Sequence, residues 1–193
     1  MWSEINMTKL NFYNPTEIDD LVWPEEQLQL TTESPAKMFF SDFRKVPPLV
    51  IEVTTAAIAA KEMMRRSHVR LKFVVDSDNH FLGVISSEDL DDQVMVRKRS
   101  EGFASSDIEV GDLMTPKNSL KAFDINQLHH ATIGEVIEAL TREGQHYALV
   151  LDRHNHQIRG MFSAQDISRK LHRAINIKDR TKFYKVFAAS DRH

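Results

Sequence analysis

The chain has 193 residues, 41% of them hydrophobic and 27% charged, the profile of a globular protein with one medium domain or two small ones. A net charge of -3 gives no electrostatic case for nucleic acid or an anionic membrane, and the lack of cysteine removes disulfides, thiolate zinc sites and cysteine nucleophiles. The longest mostly apolar run, Leu49 to Ala60, is broken by Glu52 and two threonines and is too short to span a bilayer, and the N-terminus lacks the apolar core of a signal peptide. The expectation is a cytoplasmic protein with no membrane partner.

Residues 1–45 form an arm. Glu17, Asp19, Asp20, Glu25 and Glu26 make it acidic, while Trp23, Phe39, Phe40 and Phe43 need burial on the rest of the chain or on a partner. From Leu49 to Val53 a strand is predicted, followed by Thr55 as a helix cap and an apolar stripe of Ala56, Ala59, Ala60 and Met63. The apolar run Phe73-Val74-Val75 reads as a strand buried on both faces, ending in Asp76 and a polar turn with Asn79. A second short strand carries Gly83 and leads through Ser86-Ser87-Glu88-Asp89 into a second helix. The segment from Arg97 to Asp107 reads as a linker.

The pattern then repeats, and such self-similarity outranks any single motif. A strand is predicted at about Ser119 to Ile125. Thr132 with Glu135 makes a capping box ahead of the stripe Ile133, Val136, Ile137 and Leu140, and Gly144 stands where that helix ends. Leu149-Val150-Leu151 ends in Asp152, and a turn with Asn155, a strand with Gly160, and Ser163-Ala164-Gln165-Asp166 follow. The tail, residues 174–193, is basic and aromatic, with Lys178, Arg180, Lys182, Lys185, Phe183, Tyr184 and Phe187. The fold class is therefore α/β (α+β): two β-α-β-β-α units, residues 46–106 and 107–173. At roughly 60 residues each unit is marginal alone, so the two should share a core.

Ser86 and Asp89, with Ser163 and Asp166, are the main site candidates. The spacing S-x-x-D before an apolar helix is a capping box that stabilises by about 1 kcal/mol. A helix start also offers N–H groups and positive potential to an anion, and the acid beside it can accept hydrogen bonds from ribose hydroxyls. Arg70 and His146 each stand six residues before the strand-ending aspartate, where the local reading is a solvated helix-to-strand loop residue. Lys72, two residues after Arg70, either acts with it or is exposed. The pairs His129-His130 and His154-Asn155-His156 have no supporting ligand set, so no metal is expected. No nucleophile triad, phosphate loop or zinc-hydrolase helix is present; no catalytic residue and no catalytic cofactor is expected.

The duplication resembles the CBS domain, named after cystathionine beta-synthase and usually found as tandem pairs called Bateman modules. Asp112-Leu113-Met114-Thr115-Pro116 is similar to the D-x-M-T-P that commonly opens such a repeat, and strand-Asp-turn-Gly-x-x-Ser-x-x-Asp occurs in both copies. The first copy has Lys45-Val46-Pro47-Pro48 in place of that opening. The resemblance implies a pseudo-twofold pair and a regulatory module that is not an enzyme. It implies AMP, ADP, ATP or a related adenosine compound in the cleft, ribose on Asp89 or Asp166, Ser86 or Ser163 beside it, and Arg70 or His146 towards phosphate. It further implies signalling to an unidentified regulated protein. A homodimer is expected through apolar residues of the second helices, Leu90, Val94, Met95 and Val96 with Ile167, Leu171, Ala174 and Ile175. The alternative is a ligand-free dimerisation or docking module.

Overall fold

The computed structural model describes residues 30–177, except 101, 103, 105 and 106 and the side chain of residue 99. Trp23, the acidic cluster of the arm, Ser105-Ser106 and the tail from residue 178 lie outside the described residues.

Each repeat has the expected element order. In the first, β2 (Val50–Glu52), α1 (Ala57–Arg66), β3 (Leu71–Val75), β4 (Phe81–Ser86) and α2 (Asp92–Ser100) follow one another. A short helix, α3 (Val110–Leu113), leads to the second: β6 (Ala122–Asp124), α4 (Ile133–Glu143), β7 (Tyr147–Asp152), β8 (Gln157–Ser163) and α5 (Ala164–Leu171). The opening strands are shorter than predicted because only three residues of each pair with the next strand, Val50 to Glu52 on Phe73 to Val75 and Ala122 to Asp124 on Leu149 to Leu151.

Two further strands, β1 (Ser41–Asp42) and β5 (Thr115–Pro116), are exchanged between the repeats. β5 precedes the second repeat but pairs antiparallel with β4 of the first; β1 precedes the first but pairs antiparallel with β8 of the second. The two sheets accordingly run β2-β3-β4-β5 and β1-β8-β7-β6. At both junctions the partner residue is glycine, because a side chain would strike backbone: a Cβ on Gly83 would lie 2.3 Å from the Thr115 carbonyl oxygen, and one on Gly160 2.2 Å from that of Ser41. By register, Asp42 thus stands opposite Gly160 as Pro116 stands opposite Gly83. The first copy's lead-in is residues 36–42, not Lys45-Val46-Pro47-Pro48.

The same exchange serves the helix starts. Ala57 N–H donates to the Ile108 carbonyl, and Val110 N–H to that of Thr55; in the second repeat Ile133 N–H donates to the Ser34 carbonyl and Ala36 N–H to that of Ala131. Thr55 is therefore not the cap of α1: the first helical residue is Ala57 and the cap position is Ala56, without a side-chain bond. The start moves by one or two residues, and the buried stripe moves with it to Ala57, Ala60 and Met64, leaving Ala56, Ala59 and Met63 exposed. Thr132 does cap α4, its Oγ1 accepting from Glu135 N–H while Glu135 Oε2 accepts from Thr132 N–H. Gly144 ends α4 with φ 64°, a left-handed conformation that glycine takes without strain.

Three apolar clusters result among the described residues. One lies between α1, α2 and the first sheet around Met64, Val74, Ile85 and Leu90. Another lies under α4 and α5 around Ile133, Leu140, Val150, Phe162 and Ile167, and Ala36 and Phe39 complete it. The third, Phe73, Val84 and Leu149, joins the repeats face to face. Of the arm's described aromatic residues Phe39 is buried and the other two are partly buried: Phe40 meets Phe162 with ring centroids 5.8 Å apart, and Phe43 meets Phe73 edge-on at 5.0 Å. Lys72 is not exposed. It is buried on the β2–β3 pair, with Nζ donating to the Val50 carbonyl at 3.3 Å.

Candidate functional site

The Ser-x-x-Asp segments sit where β4 and β8 leave their sheets. In the first repeat the segment is a closed turn: Ser86 N–H and Oγ–H donate to Asp89 Oδ2 at 2.9 and 2.7 Å, and Asp89 N–H donates back to Ser86 Oγ at 3.2 Å. α2 begins only at Asp92, so this box shapes a loop instead of capping the helix directly. In the second repeat Ser163 caps α5 itself, accepting from Asp166 N–H at 3.4 Å. The side chain of Asp166 is ion-paired with Arg169. For Asp89 no cation lies within ion-pairing distance among the described residues.

Arg70 and His146 hold corresponding places. The Arg70 carbonyl accepts from Ser87 N–H and the His146 carbonyl from Ala164 N–H, both at 2.9 Å, so each braces its own loop through backbone. The Arg70 side chain lines a cavity with Met64 and Leu90, on the helix side of the sheet. The cleft side belongs to the next residue along. Leu71 and Tyr147 are the cross-strand partners of Ser86 and Ser163 and therefore share their face. Both pack against the cluster between the repeats.

Tyr147 packs on the cluster between the repeats, near enough to the first repeat's loop for that loop's charges to act on it. Burial pushes its phenol above the ordinary value; the charges of Asp89 and, more weakly, Glu88 act in the same direction, and a hydrogen bond with the Thr115 side chain opposes them. The site thus draws Ser86 and Asp89 from one repeat, Tyr147 from the other, and Thr115 from the exchanged strand. Sequence reading missed Tyr147 and Thr115. Counting alternate residues back from Phe73 and Leu149 would have found the first; the exchange hides the second.

The strand-end aspartates organise turns. Asp76 Oδ1 accepts from the N–H groups of Asp78 and His80, and Asp152 accepts from the backbone and side-chain N–H of Asn155. These bonds, led by the His80 backbone and by the Asn155 side chain respectively, hold both carboxyls below their ordinary value. Asn79 takes the left-handed conformation at φ 63°, but in the second turn His156 does so at 51°, since Asn155 is spent on Asp152. Ligand atoms of Asp76, Asp78 and His80 lie within 4.8 Å of one another, with Asp78 and His80 exposed and Asp76 half-buried, and the Asp76 carboxylate is already bonded within the turn.

No curated protein matches the chain. Among solved structures, an uncharacterized conserved protein from Pyrococcus horikoshii aligns with a TM-score of 0.55 at 19% identity, covering 77% of this chain and 100% of that one. CBSX2 in complex with AMP aligns with 0.52 at 19% identity, covering 70% and 94%. A CBS domain protein from Streptococcus pneumoniae aligns with 0.51 at 16% identity, covering 72% and 82%. These likenesses carry the fold. The CBS domain family pattern matches this sequence twice, at residues 41–95 and 110–173, the first match opening on the exchanged strand β1 and the second at α3, just ahead of β5. The chain belongs to the CBS domain family.

Proposed function

We propose that this protein is a cytoplasmic regulatory module that binds an adenosine-containing molecule in the cleft between its repeats and passes that occupancy to a partner protein, without catalysing a reaction. The observation that carries the proposal is the composite site at Asp89. One of its carboxylate oxygens is fixed by Ser86, which leaves the other to accept from ribose hydroxyls, and Tyr147 and Thr115 close the site from the opposite repeat. Ser163 and Asp166, with His146 bracing the loop through its carbonyl, form the second site, which must break the Asp166–Arg169 pair before it can bind. The fold-mate CBSX2, solved with AMP, supports adenosine nucleotides as the first compounds to try.

A ligand that draws on both repeats binds best in one arrangement of them, which is the condition for a signal. We further propose a homodimer. Of the residues expected at its interface, Leu90, Met95 and Ile167 are instead buried in the cores of their own repeats, whereas Ile58 and Met63 on α1 and Val96 on α2 remain about half exposed within the described residues, at 51%, 46% and 59%, and apolar surface of this kind marks interfaces. Sedimentation equilibrium tests this: a species that stays at 22.3 kDa at tens of micromolar protein refutes it. The test of sensing is a thermal-shift series with adenosine, AMP, ADP, ATP and S-adenosylmethionine. A hundredfold excess over the dissociation constant stabilises the fold by about 2.7 kcal/mol. No shift with any of them favours the ligand-free docking module.

A further inference from the structure

Opposite the cleft, on the helix side of the first sheet, lies a second cavity of about 470 Å³. Met64 and Leu90 form its buried floor, Lys61, Arg65, His68 and Arg70 line it around them, and among the described residues no lining residue is acidic. Among the described residues, Glu62 and Asp92 are the acids paired with these cations. Glu62 alone serves both Arg65 and Arg66, and the other pair, Lys61 with Asp92, is formed with an aspartate 88% exposed. Such exposed pairs are weak and yield to a multivalent anion. Arg70 has no ion pair or side-chain hydrogen bond among the described residues, and its guanidinium is free to meet a phosphate with two parallel bonds.

The fold itself does not call for this charge. With Asp76 set against Asp152, the places of Lys61, Arg65, His68 and Arg70 are taken in the second repeat by Ile137, Thr141, Gly144 and His146. The same scaffold there stands with one basic residue of the four. Concentrated positive charge around a cavity large enough for a small molecule is therefore particular to the first repeat.

We propose that this cavity is an anion site for a diphosphate-type group, separate from the cleft between the repeats and independent of what the cleft binds. The probe is inorganic diphosphate, titrated calorimetrically into the full chain at low ionic strength. Binding is expected to weaken with added salt, to fall by about tenfold or more in Arg70→Gln, and to vanish in the Arg65→Gln/Arg70→Gln double variant. Both arginines are exposed, so these variants keep the fold, and a melting curve checks it. Asp89→Ala should bind diphosphate as the parent does, since Asp89 faces the cleft. No binding at millimolar diphosphate, unchanged affinity in the double variant, or loss of binding in Asp89→Ala each overturns the proposal. Two further titrations separate the sources of the group. ADP competing with diphosphate identifies a nucleotide's polyphosphate; diphosphate bound without ADP competition identifies the free anion. Adenosine, which lacks phosphate, reads the cleft alone, so either site can fail without the other.

Discussion

Asp42 and Arg159, 117 residues apart in sequence, meet in a two-pronged ion pair: Arg159 Nε donates to Asp42 Oδ1 and Nη2 to Oδ2, both at 2.7 Å. Both side chains are largely buried, at 13% and 17% exposure. This pair fastens β1, which precedes the first repeat, onto the sheet of the second. The corresponding strand β5 has Pro116 in that place and no such latch, so the two exchanges are held by different chemistry.

Asp42→Ala should therefore lower stability by about 2–3 kcal/mol, since it leaves a largely buried guanidinium without its acceptors. Urea unfolding of parent and variant measures it. Arg159 also sets a pH dependence. Its hydrogen bonds hold the Asp42 carboxyl below the ordinary range, so the contribution is complete above the unfolded value, near pH 4, and is lost as pH falls through the lowered folded value. The stability gap between parent and Asp42→Asn should be constant from neutral pH down to about pH 4 and close below it. A gap that instead widens in acid contradicts this assignment.

Gly83→Ala and Gly160→Ala should each destabilise by more than about 2 kcal/mol, as the new methyl meets fixed backbone and the exchanged strand must shift. Gly134→Ala is the milder comparison, with its nearest contact, the Thr32 carbonyl oxygen, at 3.1 Å. Equal melting temperatures for all three variants would show that the strands are not closely docked.

The two repeats should answer differently to removal of the threonine ahead of the first helix. Thr132→Ala loses a capping box and should cost about 1 kcal/mol. Thr55→Ala should be nearly neutral, because backbone from Ile108 to Val110 already satisfies that helix start. Thermal melts of the two single variants decide between these roles.

At the end of α5, His172 adopts the left-handed conformation with φ 49°, where α4 has Gly144. His172→Gly should raise stability by about 0.5–1 kcal/mol by relieving the steric cost of a side chain there. A lower melting temperature would mean that the imidazole makes contacts worth more than that strain.

Much of this was legible in the sequence because local rules and tertiary packing agree. Thr132, Glu135 and Gly144 bound α4 as their side chains dictate, and the apolar runs at Phe73 and Leu149 are strands buried on both faces. The failures come from contacts remote in sequence. Thr55 reads as a cap by local rules, yet a backbone bridge from the lead-in to the other repeat replaces it. β1 and β5 are two residues long, too short for any periodicity, and their partners lie in the opposite repeat. The proposed site is partly hidden from the sequence for the same reason. Ser86 and Asp89 announce themselves by spacing, whereas Tyr147 reaches them only because the sheets stack face to face, and Arg70 faces the helices instead of the cleft.

The central proposal, adenosine recognition at the composite site, is tested most directly by calorimetric titration of AMP into the parent, Asp89→Ala and Asp166→Ala proteins. The expected result is binding by the parent, a loss of at least tenfold in affinity for Asp89→Ala, consistent with about 1.5–3 kcal/mol for hydrogen bonds to a charged acceptor, and a change below about threefold for Asp166→Ala. Equal affinity in parent and Asp89→Ala, with both folded, would contradict it.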